Sequence, residues 1–246
     1  MNAVKQNGFT ALMSVALNGQ TATVMALAQE CGADVNAVTE QSGFTVLMSA
    51  AQGGHTATIV ALVQECGAYV NAAKQNGVTA LMIAMQGGHT ATVVALAQKC
   101  GADVNAALLD GSTALILAAQ NGQTVTVQVL AQECRADVNA ALQDGFTALI
   151  FAARNGHTAT VVALAQECGA DVNAAEKNGF TALMIAAQNG HTATVMVIVK
   201  TCGPDVHTVF KNGSTAVMFA AQNGHADTVL MLVKECRFDV NATNNN

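Results

Sequence analysis

The chain has 246 residues, enough to bury a sizeable core, but its apolar residues are mostly Ala, Val, Leu and Met, with 4% aromatic residues and no Trp. This composition favours thin layers of closely approaching helices over one large core. Ten Lys plus Arg residues and a net charge of −6 argue against nucleic acid or an anionic membrane as a partner, because both require clustered basic residues. No run of 18 apolar residues exists, so no transmembrane segment is predicted.

One period governs the sequence. The phrase Val-Asn-Ala recurs every 34 residues, with a single interval of 35, at Val35, Val70, Val104, Val138, Val172 and Val240. The residues after Lys5 could pass for a weak signal peptide, but Gly8–Met13 returns as Gly179–Met184 and is therefore repeat material. We predict a single domain over 1–239 with seven repeats, 1–34, 35–69, 70–103, 104–137, 138–171, 172–205 and 206–239, followed by a short tail, 240–246.

The sequence of each repeat predicts the same secondary-structure elements in the same order. In the fourth repeat a short extended piece at Val104 leads to a turn at Asp110-Gly111. Thr113 is placed to cap a first helix, 114–120, which Asn121-Gly122 ends. A second helix follows, from about residue 124 to Cys134, and in most repeats a Gly comes next as a left-handed cap. Neither short helix can bury its apolar face alone, so neighbouring repeats must stack.

A period of 34 is also the tetratricopeptide length, but that family's Trp, Leu-Gly and Tyr signature is absent. What recurs is Gly-Phe-Thr-Ala-Leu-Met-x-Ala-Ala at 179–187, Asn-Gly-His at 189–191 and Gly-Ala-Asp-Val-Asn-Ala at 169–174. The chain thus strongly resembles the ankyrin repeat family over nearly its whole length. The resemblance implies an all-α repeat solenoid of stacked helix-turn-helix units with short hairpins. It also implies a protein-binding module.

Two departures from the family pattern carry expectations. The family's Thr-Pro-Leu-His is replaced here by Thr-Ala-Leu-Met or Thr-Ala-Leu-Ile, so that Ala80 and Ala148, among others, stand where Pro is usual. Each repeat is also one residue longer than the family's usual length. We expect the extra residue at the end of the second helix, which would make that helix slightly longer.

Seven Cys residues recur at one position per repeat, from Cys31 to Cys236. Equivalent positions in stacked repeats lie roughly 8–10 Å apart, too far for a disulfide, and no Cys-x-x-Cys pair exists. We interpret each as a small, half-buried residue that closes the second helix. Free thiols imply a reducing compartment, and hence a cytoplasmic location.

Recurring His and acidic residues offer little chemistry. His55 and Cys66 bracket one helix and lie roughly 16 Å apart, so they cannot share a zinc ion. We interpret the His residues as turn residues that bond local backbone and give modest pH sensitivity. A Glu before the Cys and an Asp before the Val recur in most repeats, and we interpret them as a solvated acidic stripe and as hairpin hydrogen-bond acceptors. A carboxylate repeated in every layer forms no unique catalytic site. We predict no enzyme, no metal and no cofactor.

The resemblance implies a binding surface at the hairpin tips and the concave face of the first helices. Positions that vary between repeats are the candidates, namely Phe9, Phe44, Leu108, Leu109, Leu142, Phe146, Arg154, Phe180 and Phe210. Leu108, Leu109 and Leu142 place apolar side chains where other repeats have polar ones, which predicts an exposed cluster in the middle of the array. Arg154 replaces a recurring Gln. The alternative is that each Phe packs against the next layer as structure.

Three functional classes follow. The first is binding of another protein. The second is a self-associating structural array, because Leu12, Leu27, Val217 and Leu230 keep the outer repeats apolar, where capping repeats are normally polar. End-to-end self-association is the expected form of this class. The third is an excised or engineered scaffold without a partner of its own.

Overall fold

The computed structural model describes residues 8–203, 205, 208–236 and 243–244. The predicted start of the first repeat at Met1 and most of the predicted tail, 240–246, lie outside these residues. The internal contacts separate the chain into two compact units. The first ends at Ala114 and also includes Gln132–Ala136. The second comprises Leu115–Ala131 and the residues from Asp137 onward.

Paired short helices repeat through the described residues. The first three repeats contain α1 (Ala11–Leu17), α2 (Thr21–Met25, continued by a π-helical turn at Ala26–Glu30), α3 (Val46–Gln52), α4 (Thr56–Gln64), α5 (Ala80–Gln86) and α6 (Thr90–Val94, continued by a π-helical turn at Ala95–Lys99).

The remaining repeats contain α7 (Ala114–Gln120), α8 (Thr124–Gln128, with a π-helical turn at Val129–Glu133), α9 (Ala148–Arg154), α10 (Thr158–Val162, with a π-helical turn at Ala163–Glu167), α11 (Ala182–Gln188), α12 (Thr192–Thr201), α13 (Ala216–Gln222) and α14 (Ala226–Cys236). The predicted first helix of the fourth repeat, 114–120, is confirmed.

A threonine begins each first helix, as predicted. The Thr45 hydroxyl, for example, accepts the Met48 N–H at 3.1 Å, and Thr45 itself is extended, with ψ 168°. Thr147 caps α9 in the same way. Thr215 is the exception, because its Oγ1 is buried without a hydrogen-bond partner in the described part of the chain. The caps satisfy an amide that the helix cannot, which is why these seven-residue helices start where they do.

Four of the second helices widen in their last turn. Cys31, Cys100 and Cys168 donate their N–H to the carbonyl five residues earlier, at 3.0–3.1 Å, instead of four earlier. This is the π-helical pattern, in which one inserted residue bulges within an α-helix. The second helix of the second repeat lacks it, and its Glu65 N–H bonds Ala61 in the ordinary α pattern. The expected longer helix is therefore a wider final turn in four of the repeats.

The core is built from Ala, Leu and Met on the facing sides of neighbouring first helices. Within the first unit α1 packs against α3 and α3 against α5, and within the second α9 packs against α11 and α11 against α13. Ala50, Ala84 and Ala186 are fully buried, and their small side chains let these helices approach closely. Threonine hydroxyls join successive second helices, as between Thr56 and Thr92 at 2.8 Å.

Single antiparallel bridges close the hairpins between repeats, such as Ala73 with Thr79 and Ala175 with Thr181. In the second repeat the bridge joins Val38 to Thr45, which places the extra residue of that 35-residue unit in the hairpin. The Thr39 hydroxyl fills the wider turn, contacting Ser42 Oγ at 2.8 Å and accepting the Phe44 N–H at 3.0 Å.

Candidate functional site

One hairpin position faces inward in every described repeat from the third onward. Its residue closes the hairpin with its own backbone, as Lys74 does by donating to the Val78 carbonyl and accepting from Gly77, both at 2.9 Å. The equivalent residues are Leu108, Leu142, Glu176 and Phe210. All are buried or half-buried, and the turn glycine of the preceding repeat abuts Lys74, Leu108, Glu176 and Phe210: a Cβ on Gly145 would lie 3.0 Å from the Glu176 Cα.

This burial corrects the prediction of an exposed leucine cluster. Leu109 is 77% exposed at its hairpin tip, as expected. Leu108 and Leu142 occupy the inward position and are half-buried, so the prediction that they are exposed is wrong. The sequence alone does not distinguish the two neighbouring hairpin residues, since both lie between the same turn signals.

The residue after each turn glycine forms the second row of the site. Phe9, Phe44, Phe146 and Phe180 stand there and are all half-buried. The Phe9 and Phe44 ring centroids lie 6.4 Å apart, and Phe180 contacts Phe210 at 4.4 Å. The Phe9, Phe44 and Phe180 rings contact side chains of the next repeat, as the structural alternative proposed, whereas Phe146 contacts Phe151 and Arg154 of its own repeat. All four rings also line surface clefts.

The repeat-three cleft lies in the first unit and has a volume of about 520 Å³, and its counterpart in the second unit has a volume of about 480 Å³. The Phe44 ring forms one wall, and the Lys74 ammonium lies 5.9 Å from the centroid of that ring, within the range of a cation–π contact. The complete lining is Phe44, Gln52, Lys74, Asn76, Val78, Ile83, Gln86 and Gly87. A smaller cleft of about 330 Å³ adjoins it and is lined by Phe9, Thr39, Gln41, Ser42, Phe44 and Gln52.

The repeat-six cleft lies in the second unit at equivalent positions, 102 residues further along the sequence. Its lining is Phe146, Arg154, Glu176, Asn178, Phe180, Ile185, Gln188, Asn189 and Asn223. The Arg154 guanidinium lies 5.9 Å from the Phe146 ring centroid. Three predicted site residues, Phe146, Arg154 and Phe180, therefore meet in one concavity. Phe44 lines the repeat-three cleft.

Glu176 lines the repeat-six cleft, but its carboxylate binds the N–H groups of its own hairpin. It is only 5% exposed, and its Oε1 accepts the N–H groups of Asn178 at 2.9 Å and Phe180 at 3.1 Å. Its Oε2 accepts the Asn178 side-chain amide at 3.1 Å. In the fifth repeat Asp144 performs the comparable task by accepting the Phe146 N–H. Three donors satisfy this buried carboxylate, and its main effect is to order the hairpin.

The histidines bond the preceding repeat instead of local backbone, which corrects the prediction. His191 Nε2 donates to the Arg154 carbonyl at 3.0 Å, and His55 Nε2 donates to the Leu17 carbonyl at 2.9 Å. Each ring lies against a turn glycine of the earlier repeat, since a Cβ on Gly156 would be 2.7 Å from His191 Nδ1. These His side chains therefore connect each repeat to the one before it by a hydrogen bond.

The cysteines and acidic residues agree with the structural interpretation. All seven Cys are free, and all but the exposed Cys31 are half-buried at the end of a second helix. Burial raises the pKa of the Cys100 and Cys134 thiols, and Glu133 raises that of Cys134 further. Asp103 Oδ1 accepts the Asn105 N–H at 2.9 Å, which is the predicted hairpin hydrogen bonding. Among the described residues no three potential ligands gather as a metal site.

The sequence missed most of the cleft lining. Nothing in the sequence pattern singles out Asn76, Ile83, Asn178 or Gln188, whereas Lys74 and Glu176 stand at a variable hairpin position but outside the predicted set of contact residues. A signal was present, because Lys74 and Glu176 occupy one register position that differs in every described repeat from the second to the seventh except the two with Leu. What the register does not reveal is which variable positions converge on one concavity.

In the described parts of the chain no helix has the length and hydropathy needed to cross a bilayer. A model of the ankyrin repeat family matches three times, over residues 12–108, 99–176 and 164–244. A comparison with curated proteins finds no match. Together the three matches span almost the entire chain and agree with the repeated helix pairs, which confirms the all-α repeat class. The chain therefore belongs to the ankyrin repeat family.

Proposed function

We propose that the chain binds a partner protein through its hairpins and the ends of its first helices, without catalysing a reaction. Ankyrin repeats generally mediate protein–protein interaction, and this supports the broad class. The finer proposal depends on one observation: a cleft recurs at equivalent positions with a changed lining. Val78 corresponds to Phe180, Gln52 to Arg154, and Lys74 to Glu176.

The residues beneath the clefts do not vary in the same way. Leu81 and Leu183 are equivalent, and both are buried to within 3% of complete burial. A surface whose side chains change above a constant core suits recognition of different side chains along one partner. The proposed contact residues are Phe9, Phe44, Leu109, Phe146, Arg154, Phe180 and Phe210, with Leu108 and Leu142 contributing the half-buried edges of their hairpins.

The test compares partner capture by three forms of the full chain. A face variant combines Phe44→Val, Arg154→Gln and Phe180→Val, and each new residue is one that another repeat carries at that position. A control variant, Val125→Ala, removes the two γ-methyl groups of a side chain that is 65% exposed on a second helix, where other repeats have Ala. Circular dichroism and urea midpoints verify that both variants keep the fold.

The proposal expects proteins that the wild type and the control variant retain and the face variant loses. For a purified partner, affinity for the face variant should fall at least about tenfold, or about 1.4 kcal/mol. Equal affinity for the face variant and the wild type, with the fold intact, would refute this surface.

A further inference from the structure

Lys74 gives the repeat-three cleft a chemistry of its own. None of the residues that line this cleft is Asp or Glu, and no ion pair involves Lys74 within the described residues. The amides of Gln52, Asn76 and Gln86 are the other polar side chains. In a protein of net charge −6, this concavity therefore contains one ionised group, and that group is a cation.

The geometry keeps this cation available. The Lys74 backbone is fixed by two hairpin hydrogen bonds, and its ammonium lies over the Phe44 ring. The ring attracts the ammonium weakly but offers no hydrogen-bond acceptor in its plane, so the three N–H donors can still bind a carboxylate. A lysine held in this way loses less side-chain entropy on pairing than a free surface lysine does.

Apolar surface lies beside the charge. Phe44, Val78 and Ile83 line the same cleft, and both Val78 and Ile83 are only half-buried. A side chain next to a carboxylate in a partner segment could pack there while the carboxylate reaches Lys74. An ion pair inside a concave, partly desolvated site is screened less than one on an open surface.

The repeat-six cleft shows that the fold does not require a cation at this hairpin position. Glu176 replaces Lys74 there and uses its carboxylate on three hairpin N–H groups. The cation in that cleft is Arg154, so its lining residues carry opposite charges that cancel. The two clefts thus have the same framework with different electrostatics.

Building on the proposed function, we propose that the repeat-three cleft binds an acidic segment of the partner protein. An Asp or Glu carboxylate of that segment pairs with the Lys74 ammonium, and a neighbouring apolar side chain packs against Phe44 and Val78. Charge complementarity selects the acidic segment, because a basic or uncharged segment would leave the ammonium unpaired or repelled.

The experiment selects random dodecapeptides on phage against the intact chain and measures the affinity of the enriched peptides by fluorescence anisotropy. Lys74→Glu is the decisive variant, because Glu176 indicates that the hairpin accepts Glu with its own hydrogen bonds. Lys74→Leu, the residue found in the fourth and fifth repeats, removes the charge without reversing it. Val125→Ala, on an exposed second-helix position outside both clefts, is the control.

We expect enriched peptides with an acidic residue beside an apolar one, and affinity that falls about tenfold in Lys74→Leu and further in Lys74→Glu. Raising the ionic strength should weaken wild-type binding, and Val125→Ala should leave it unchanged. Enriched peptides without an acidic residue, or equal affinity for Lys74→Glu with an unchanged urea midpoint, would overturn the inference. Affinity lost only in Phe44→Val, Arg154→Gln or Phe180→Val overturns it too but leaves the proposed binding face intact.

Discussion

Arg135 has a left-handed backbone conformation, and at the equivalent position other repeats have glycine. Its φ is +59°, whereas Gly67, Gly101 and Gly169 at the same position have φ between 70° and 77°. It is the non-glycine residue with positive φ in the described part of the chain. This conformation ends the second helix by turning the chain back on it. In the fifth repeat, for example, the Ala170 N–H that follows Gly169 donates to the Leu164 carbonyl at 2.9 Å.

Replacing Arg135 by Gly sets two effects against each other. Relief of the left-handed strain is worth about 1–2 kcal/mol, because a Cβ crowds the carbonyl oxygen in that conformation. The greater freedom of glycine in the unfolded chain costs about 0.5–1 kcal/mol. Arg135 is exposed and makes no ion pair within the described residues, so little packing is lost. Strain relief should win, raising the free energy of unfolding by about 0.5–1 kcal/mol.

Gly169→Ala is the matched reverse change. Its φ is +77°, and a Cβ built on it would meet no atom within 4 Å, so strain acts there without a steric clash. We expect a loss of about 1 kcal/mol. Urea unfolding followed by circular dichroism measures both variants at equal m-value. An Arg135→Gly midpoint at or below that of the wild type, or a neutral Gly169→Ala, would refute the strain argument.

Two substitutions and one labelling experiment test other parts of the fold. Ala80→Pro should raise the free energy of unfolding, measured in urea, by about 0.4–1 kcal/mol, because Thr79 is already extended and the first helical N–H has no intrahelical partner. A lowered urea midpoint would mean that the buried site cannot hold the proline ring. His191→Gln, the residue of the fourth repeat, should lower stability by about 1 kcal/mol through loss of the inter-repeat hydrogen bond, whereas an unchanged midpoint would contradict that role. Burial and, to a smaller extent, Glu133 raise the pKa of the Cys134 thiol above its ordinary value of 9.0. The folded state therefore favours the neutral thiol: its contribution to stability is full below pH 9.0 and is lost as the pH rises through the folded-state pKa. Iodoacetamide should therefore label Cys134 in the native protein more slowly than in urea between pH 8 and 9, roughly the range of its ordinary titration, and equal rates would contradict this.

Local signals in the sequence determined the helices and their boundaries. Thr147 precedes a helix that runs to Arg154, and the cap acts through an amide only three residues away. The same holds for the turn glycines, which are required by their own φ. The recurring motifs at 169–174, 179–187 and 189–191 then indicated the ankyrin repeat family, because the period of 34 alone also fits tetratricopeptide repeats.

The tertiary structure decided which side chains meet across repeats. His191 finds its acceptor 37 residues earlier, Leu108 turns inward while Leu109 stays exposed, and Arg154 reaches Phe146 to form part of a cleft. Each outcome depends on what the neighbouring repeat presents at the contact. A hairpin residue becomes buried because the preceding turn glycine, which lacks a Cβ, lets the backbones approach closely. The sequence marks the variable positions, but only the stacking of one repeat on the next brings Lys74 and Phe44 together at a single cleft.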